Sequence, residues 1–227
     1  MTGESHLWPI AELIARLQAD DLLRTLCGQR QVNSEKFDTR EHLLEDLIAQ
    51  LVRERHPDGQ VTERQVAGRT FEIPKWHFLA RSRPDLVLAL DDQLHVLEVK
   101  SSKVGDNRSQ CVLGKPFQKY LWDLGYNGPP PREVEQDLIK MALLVAIDAR
   151  IASASLLMVD GYAGNGLKWS RVFADADLFA RTMRTPWIQK AAEKLVASTE
   201  IRRMSVGSMV ADVILCQVVN PDRTEPL

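Results

Sequence analysis

Three charged residues stand in stretches that are otherwise apolar. Asp85 heads the run Pro84-Asp85-Leu86-Val87-Leu88-Ala89-Leu90, and Glu98 and Lys100 end the run His95-Val96-Leu97-Glu98-Val99-Lys100. A charge on a buried strand is costly unless it binds something. Side chains alternate along a strand, so Glu98 and Lys100 share one face and Val99 takes the other. Asp91-Asp92-Gln93, between the two runs, reads as the turn of a β-hairpin. Folding at that turn gathers two carboxylates and an ammonium at the ends of paired strands, a donor set that suits a hard divalent cation. The competing reading is a buried Asp–Lys or Glu–Lys ion pair with no metal.

Such a hairpin needs covering elements, and hydrophobic periodicity supplies them. Residues 8–27 carry Ile10, Leu13, Ile14, Leu17, Leu22, Leu23 and Leu26 at helical spacing, as one helix or as two broken near Asp20-Asp21. Leu43, Leu44, Leu47, Ile48, Leu51 and Val52 predict an amphipathic helix over 39–54 that ends before His56-Pro57-Asp58-Gly59. Residues 60–74 read as an irregular strand or hairpin with Gly68 at a turn, and strands over 84–90 and 94–100 follow. Beyond Lys100 the chain is polar and loop-like, then aromatic at Phe117, Tyr120, Trp122 and Tyr126, then broken at Gly128-Pro129-Pro130-Pro131. A helix is expected from Arg132 to about Ile151, a strand over 155–160, a loop over 161–166, a helical stretch over 175–197 broken or kinked at Pro186, and a strand over 210–219. This order predicts an α/β fold with a mixed sheet flanked by helices. Its expected organisation is a helical segment over 1–37, a main domain over 38–220 and a tail over 221–227.

Pro84-Asp85, twelve residues, then Glu98-Val99-Lys100 resembles the PD-(D/E)xK nuclease motif, and the resemblance covers roughly residues 39–160. It implies a restriction-endonuclease-like core, a mixed β-sheet flanked by α-helices with the motif strands forming a hairpin at the active site. It also implies a Mg²⁺-dependent nuclease acting on DNA, with Mn²⁺ as a substitute, Asp85 and Glu98 as metal ligands and Lys100 as the catalytic lysine. Members of this superfamily often carry a metal-facing glutamate on the helix before the hairpin. Glu45, about 60° from Ile48 around the helix, is preferred to Glu41 for that place. Many members also carry a glutamine-led helix after the hairpin, which Gln136 resembles, although Lys140 stands where a tyrosine is often found.

Elementary chemistry supports the same roles. Mg²⁺ wants oxygen ligands in octahedral geometry and keeps several waters, and the Val99 carbonyl could add a third oxygen to those of Asp85 and Glu98. A cation there makes a water more nucleophilic towards a phosphodiester and offsets charge on the phosphate oxygens. Lys100 could orient or deprotonate that water, or neutralise the transition state. Gln136 and Lys140 lie one helical turn apart on one face, where Gln136 could support the site and Lys140 could contact phosphate. Ser101 and Lys103 extend the pocket edge towards a phosphate.

Bulk properties bound the remaining readings. An apolar content of 44 % is enough for a sizeable core, and no apolar run approaches the roughly 20 residues of a membrane span. Cys27, Cys111 and Cys216 form no CxxC pair, and the five histidines show no HExxH spacing, which argues against a zinc site. Without a basic-then-apolar leader, a cytoplasmic protein is the expectation. Net charge is −2, yet residues 64–119 hold ten Lys/Arg against six Asp/Glu, so the middle of the chain could face a polyanion. DNA is the expected partner, RNA is not excluded by the metal chemistry, and a homodimer would suit symmetric duplex cutting. The alternative is a catalytically inactive nucleic-acid-binding or assembly subunit that keeps the fold.

Overall fold

The computed structural model describes residues 7–19, 38–75, 77–101, 114–161, 168–206 and 209–218. Among these, a six-stranded mixed sheet is flanked by helices on both faces, an α/β architecture. The strands are β1 (Gln60–Glu63), β2 (Leu86–Leu90), β3 (Gln93–Ser101), β4 (Ile151–Asp160), β5 (Thr199–Val206) and β6 (Met209–Val218), in the spatial order β1-β2-β3-β4-β6-β5. All neighbours are antiparallel except β3 and β4. Parallel neighbours need a long crossover, and the chain between them contains α4 (Gly114–Asp123) and α5 (Glu133–Ile147).

The two faces of the sheet have separate cores. On one face Leu86, Leu88, Leu97, Val99, Leu157 and Val159 pack with α1 (Ile10–Ala19) and α2 (Asp38–Arg55), through Leu13, Leu17, Leu44, Ile48 and Val52. On the other face Val87, Val96, Leu156, Met158 and Ile214 pack against Leu138, Met141 and Val145 of α5. Alternation of side chains across the pleat therefore places Glu98 and Lys100 on the α5 face, with Val99 on the opposite one. The β2–β3 connection is a two-residue turn, Asp91-Asp92, with φ of 50° and 62°. Both central residues in the left-handed region give the turn whose twist matches a hairpin, and aspartate tolerates that conformation.

Several elements differ from the expectations. Gly68 lies not in a hairpin turn but in the short helix α3 (Ala67–Thr70), where a Cβ would sit 2.9 Å from the Ala80 carbonyl oxygen. The aromatic stretch forms α4, because Phe117 and Leu121, one turn apart, are both buried. Helix α5 stops at Ile147, four residues short of the expected end. Asp148 then accepts from the backbone N–H of Glu72 and of Arg150, which turns the chain straight into β4. The expected helix over 175–197 is divided into α7 (Ala176–Thr182), α8 (Pro186–Lys190) and α9 (Ala192–Ala197), preceded by α6 (Trp169–Val172). Asp175 caps α7 and Pro186 opens α8, the positions where these residues start helices rather than continue them. Strand β5 was hidden by its charges: it is paired on one side only, and Arg202 and Arg203 suit such an edge.

The described part of the first 37 residues, Trp8 and α1 included, is packed into the same core as α2 and β3. Residues 168–197 pack likewise into the α5 core, through Phe173, Phe179, Ile188 and Leu195. Residues 20–37 and the tail over 221–227 lie outside the described residues.

Candidate active site

The hairpin register builds the site. Leu86 is opposite Leu97, so one further step sets Asp85 opposite Glu98, on the same face. Glu63 is opposite Leu86, so the same step sets Arg64 beside Asp85, and the Arg64 N–H donates to the Asp85 carbonyl oxygen at 3.0 Å. Asp85 closes the end of the ladder with its side chain: Oδ2 accepts the Val99 N–H at 2.7 Å. A strand residue directs its N–H and C=O to the same edge. The Val99 carbonyl therefore faces the gap beside Asp85, where β2 has not yet begun.

Helix α5 crosses this end of the sheet and adds charges of both signs. Lys140 Nζ lies 2.7 Å from Glu98 Oε2 and 3.2 Å from Asp137 Oδ1. Lys100 Nζ reaches Glu133 Oε1 and Asp137 Oδ2, each at 3.4 Å. The Lys100–Asp137 approach is a long ion pair, at the limit of hydrogen-bond reach. Glu98 Oε1 is buried without a hydrogen-bond partner, in a residue only 1 % exposed.

Burial dominates the electrostatics. It pushes the Asp85 carboxyl above the usual range, against the pull of Lys100 and Lys140, while Glu45 adds to the rise. Burial pushes Glu98 well above that range too, with Asp85 and Asp137 adding to it and Lys140 opposing. Burial would also raise Asp137, but Lys100 and Lys140 outweigh it and hold that carboxyl below its ordinary value. For Lys140, burial is outweighed by Glu98 and Asp137, so its ammonium is held above the usual lysine range. Four carboxylates, Asp85, Glu98, Glu133 and Asp137, thus share two lysines, and the deficit of positive charge falls on the buried Asp85 and Glu98.

Among the described residues no three His, Cys, Asp or Glu side chains form a ready-made metal cage. Mg²⁺ does not require one, since one or two carboxylates plus waters and a substrate phosphate suffice. The orphaned Glu98 Oε1, the Val99 carbonyl beside Asp85 and the raised carboxyls fit a small divalent cation held by Asp85 and Glu98.

The remaining candidates divide. Glu45 is buried at the border of the α2 stripe, as its helical phase suggested, and lies close enough to Asp85 to raise its pKa. Its Oε2 is held by the Arg64 guanidinium and by His42 Nδ1 at 3.3 Å. Arg64 sits at φ 50°, a left-handed backbone that leads its side chain to Glu45 and Asp46 on α2. Gln136 is buried, and its amide nitrogen donates to the Pro131 carbonyl oxygen at 3.0 Å. Lys140 pairs with Glu98 and is buried, in place of the phosphate contact expected of it. Ser101 ends β3, with its side chain outside the described atoms; Lys103, and the side chain of Glu41, lie outside them too.

Sequence reasoning passed over Glu133 and Asp137. The signal was present: Glu133, Asp137 and Lys140 recur at i, i+4 and i+7, a polar stripe on an otherwise apolar helix. A different stripe of α5, including Leu138, Ile139 and Ala142, lines an apolar cavity of about 70 Å³ with Trp187 and Leu195. Compared with protein-family models, with curated proteins and with solved structures, the chain matches none. No helix among the described residues is long and apolar enough to cross a membrane.

Proposed function

We propose that this protein is a divalent-cation-dependent phosphodiester hydrolase that cuts DNA, built on a restriction-endonuclease-like core of the PD-(D/E)xK type. The observation that carries this reading is the pairing of Asp85 and Glu98 across adjacent strands, with Lys100 on the same face and Glu98 Oε1 buried without a partner. The parallel β3–β4 pair bridged by α5 accords with the mixed, helix-flanked sheet that the motif implies.

Asp85, Glu98 and the Val99 carbonyl would hold Mg²⁺ or Mn²⁺. When bound, the cation supplies Lewis-acid stabilisation of phosphate charge and acidifies a water. Lys100 is anchored from α5 by Glu133 and Asp137 yet keeps its side chain 16 % exposed, so its ammonium can meet a phosphate or a water at the mouth of the site. There it orients the attacking oxygen and neutralises charge as the P–O bond to the leaving strand breaks. Glu45, held in place by Arg64, adds a negative charge behind Asp85. The test is incubation of purified protein with single- and double-stranded DNA and with RNA, in Mg²⁺ or Mn²⁺, beside Lys100→Ala. Equal cleavage by wild type and variant would assign the activity to a contaminant.

One observation favours a second reading, a nucleic-acid-binding subunit without catalysis. Lys140 and Lys100 already pair with the carboxylates, so the corner can persist as an internal ion network. That reading expects silence in a Mn²⁺ titration and nucleic-acid binding that survives Asp85→Ala.

A further inference from the structure

We propose that Lys140 fixes Glu98 as a one-oxygen donor and so sets the preference of the site for a small octahedral cation over Ca²⁺. The inference rests on the metal-dependent reading above and names the residue that selects the metal. Glu98 Oε2 is taken by Lys140 Nζ at 2.7 Å, while Oε1 is buried with no partner. Lys140 cannot readily release its hold. It is 5 % exposed, lies in the run of α5 that is buried from Val134 to Val145, and is tied on its other side by Asp137 Oδ1 at 3.2 Å. Lys140 is therefore a positioning residue, acting on the cation through Glu98.

The two common divalent cations differ in what they ask of a carboxylate. Ca²⁺ collects six to eight oxygens in flexible geometry and often takes both oxygens of one carboxylate, whereas Mg²⁺ demands a tight octahedron and keeps waters. With Oε2 held at 2.7 Å by an ammonium, a metal bond to that oxygen would bring the cation against Lys140 Nζ, so chelation through both oxygens is disfavoured relative to binding through Oε1 alone. The same lysine also places a positive charge beside the site, which weakens every divalent cation to a similar degree. Absolute affinity therefore mixes two effects, and the ratio of Ca²⁺ to Mg²⁺ affinity isolates the geometric one.

The experiment follows free Mn²⁺ by electron paramagnetic resonance as it titrates the full chain, with Mg²⁺ and Ca²⁺ as competitors. In Lys140→Met the loss of a positive charge raises both affinities, and the ratio shifts towards Ca²⁺ by about tenfold, the low end of the size of change that loss of a ligand's outer-shell partner makes to metal affinity. Lys140→Gln keeps a donor for Oε2 without the charge, and is expected to retain most of the wild-type ratio. Should Lys140→Met fail to fold, Asp137→Asn combined with Lys140→Met removes one charge of each sign, and the same shift is expected of it. Equal changes for the two cations overturn the role of Lys140 and leave the metal site standing. Silence of the wild type, or binding unaltered by Asp85→Ala, removes the metal site and this inference together.

Discussion

Glu98 on β3 and Glu135 in the first turn of α5 are both buried glutamates, and the protein treats them in opposite ways. Glu135 is 0 % exposed, and both its oxygens are hydrogen-bonded. Oε1 accepts from the backbone N–H of Arg184 and Thr185 and from the Thr185 hydroxyl at 2.7, 2.9 and 3.0 Å, while Oε2 accepts the Arg132 N–H at 2.9 Å. Those bonds tie the start of α5 to the segment between α7 and α8. Glu98 has one oxygen on a lysine and the other on nothing. On the metal-dependent reading proposed above, the fully hydrogen-bonded Glu135 holds the fold together, and the half-satisfied Glu98 is the acid that takes the cation.

The comparison can be broken in several places. The largest effect expected is on catalysis: Asp85→Ala or Glu98→Gln should lower the rate of DNA cleavage by about 10³-fold or more, roughly 4 kcal/mol of barrier. Glu98→Gln should melt close to wild type, whereas Asp85→Ala also leaves the Val99 N–H without its acceptor and should lose about 1–3 kcal/mol; a collapse of melting in Glu98→Gln alongside activity would show that this acid is structural instead. Second in size is Glu135→Gln, which exchanges one acceptor oxygen for a donor facing hydrogen-bond donors. It should destabilise the fold by about 3 kcal/mol in urea titrations, and a loss below about 1 kcal/mol would erase the distinction.

Saturating Mn²⁺, at about 100 times its dissociation constant, should stabilise the wild type by about 2.7 kcal/mol. The Glu135 variant, under conditions where it folds, should gain the same increment, whereas Glu98→Gln should gain little; calorimetry with and without chelator reads both. In chelator alone Glu98→Gln should be at least as stable as wild type, because it removes an under-compensated buried charge.

The smallest effect is on pH dependence. Glu98 has a folded pKa above its unfolded one, so the stability it contributes is complete below the ordinary carboxylate value and is lost as pH rises through the raised one. Metal-free wild type should therefore lose ground to Glu98→Gln as pH rises through that window. Asp137 works in reverse, its contribution being lost only as pH falls through its lowered pKa. Parallel stability curves for wild type and Glu98→Gln would contradict the raised pKa.

Which parts were legible in the chain follows from how local their causes are. The pairing of Asp85 with Glu98 needed only strand alternation and a turn between them, and both were visible in Leu86–Leu90 and His95–Val99. The buried face of α2, and Glu45 at its border, followed from helical phase. The partners of the site did not follow, because they depend on how α5 is laid across the sheet. That docking brings Lys140 to Glu98, and although the stripe of Glu133, Asp137 and Lys140 was visible, its spacing does not say which strand residues it meets. The hold of Arg64 on Glu45 was equally hidden, since it depends on one left-handed residue after β1. Strand β5 and helix α4 escaped because charges or helix-breaking neighbours masked short apolar patterns.

The Asp91-Asp92 turn has a consequence for how this sequence can vary. With two residues in the turn, opposing positions of β2 and β3 have residue numbers of constant sum, so lengthening one strand must be matched by lengthening the other. The interval between the two carboxylates can then grow or shrink only two residues at a time. A single inserted residue that left the turn intact would send Asp85 or Glu98 to the face covered by α1 and α2, dismantling the site while preserving every residue in it.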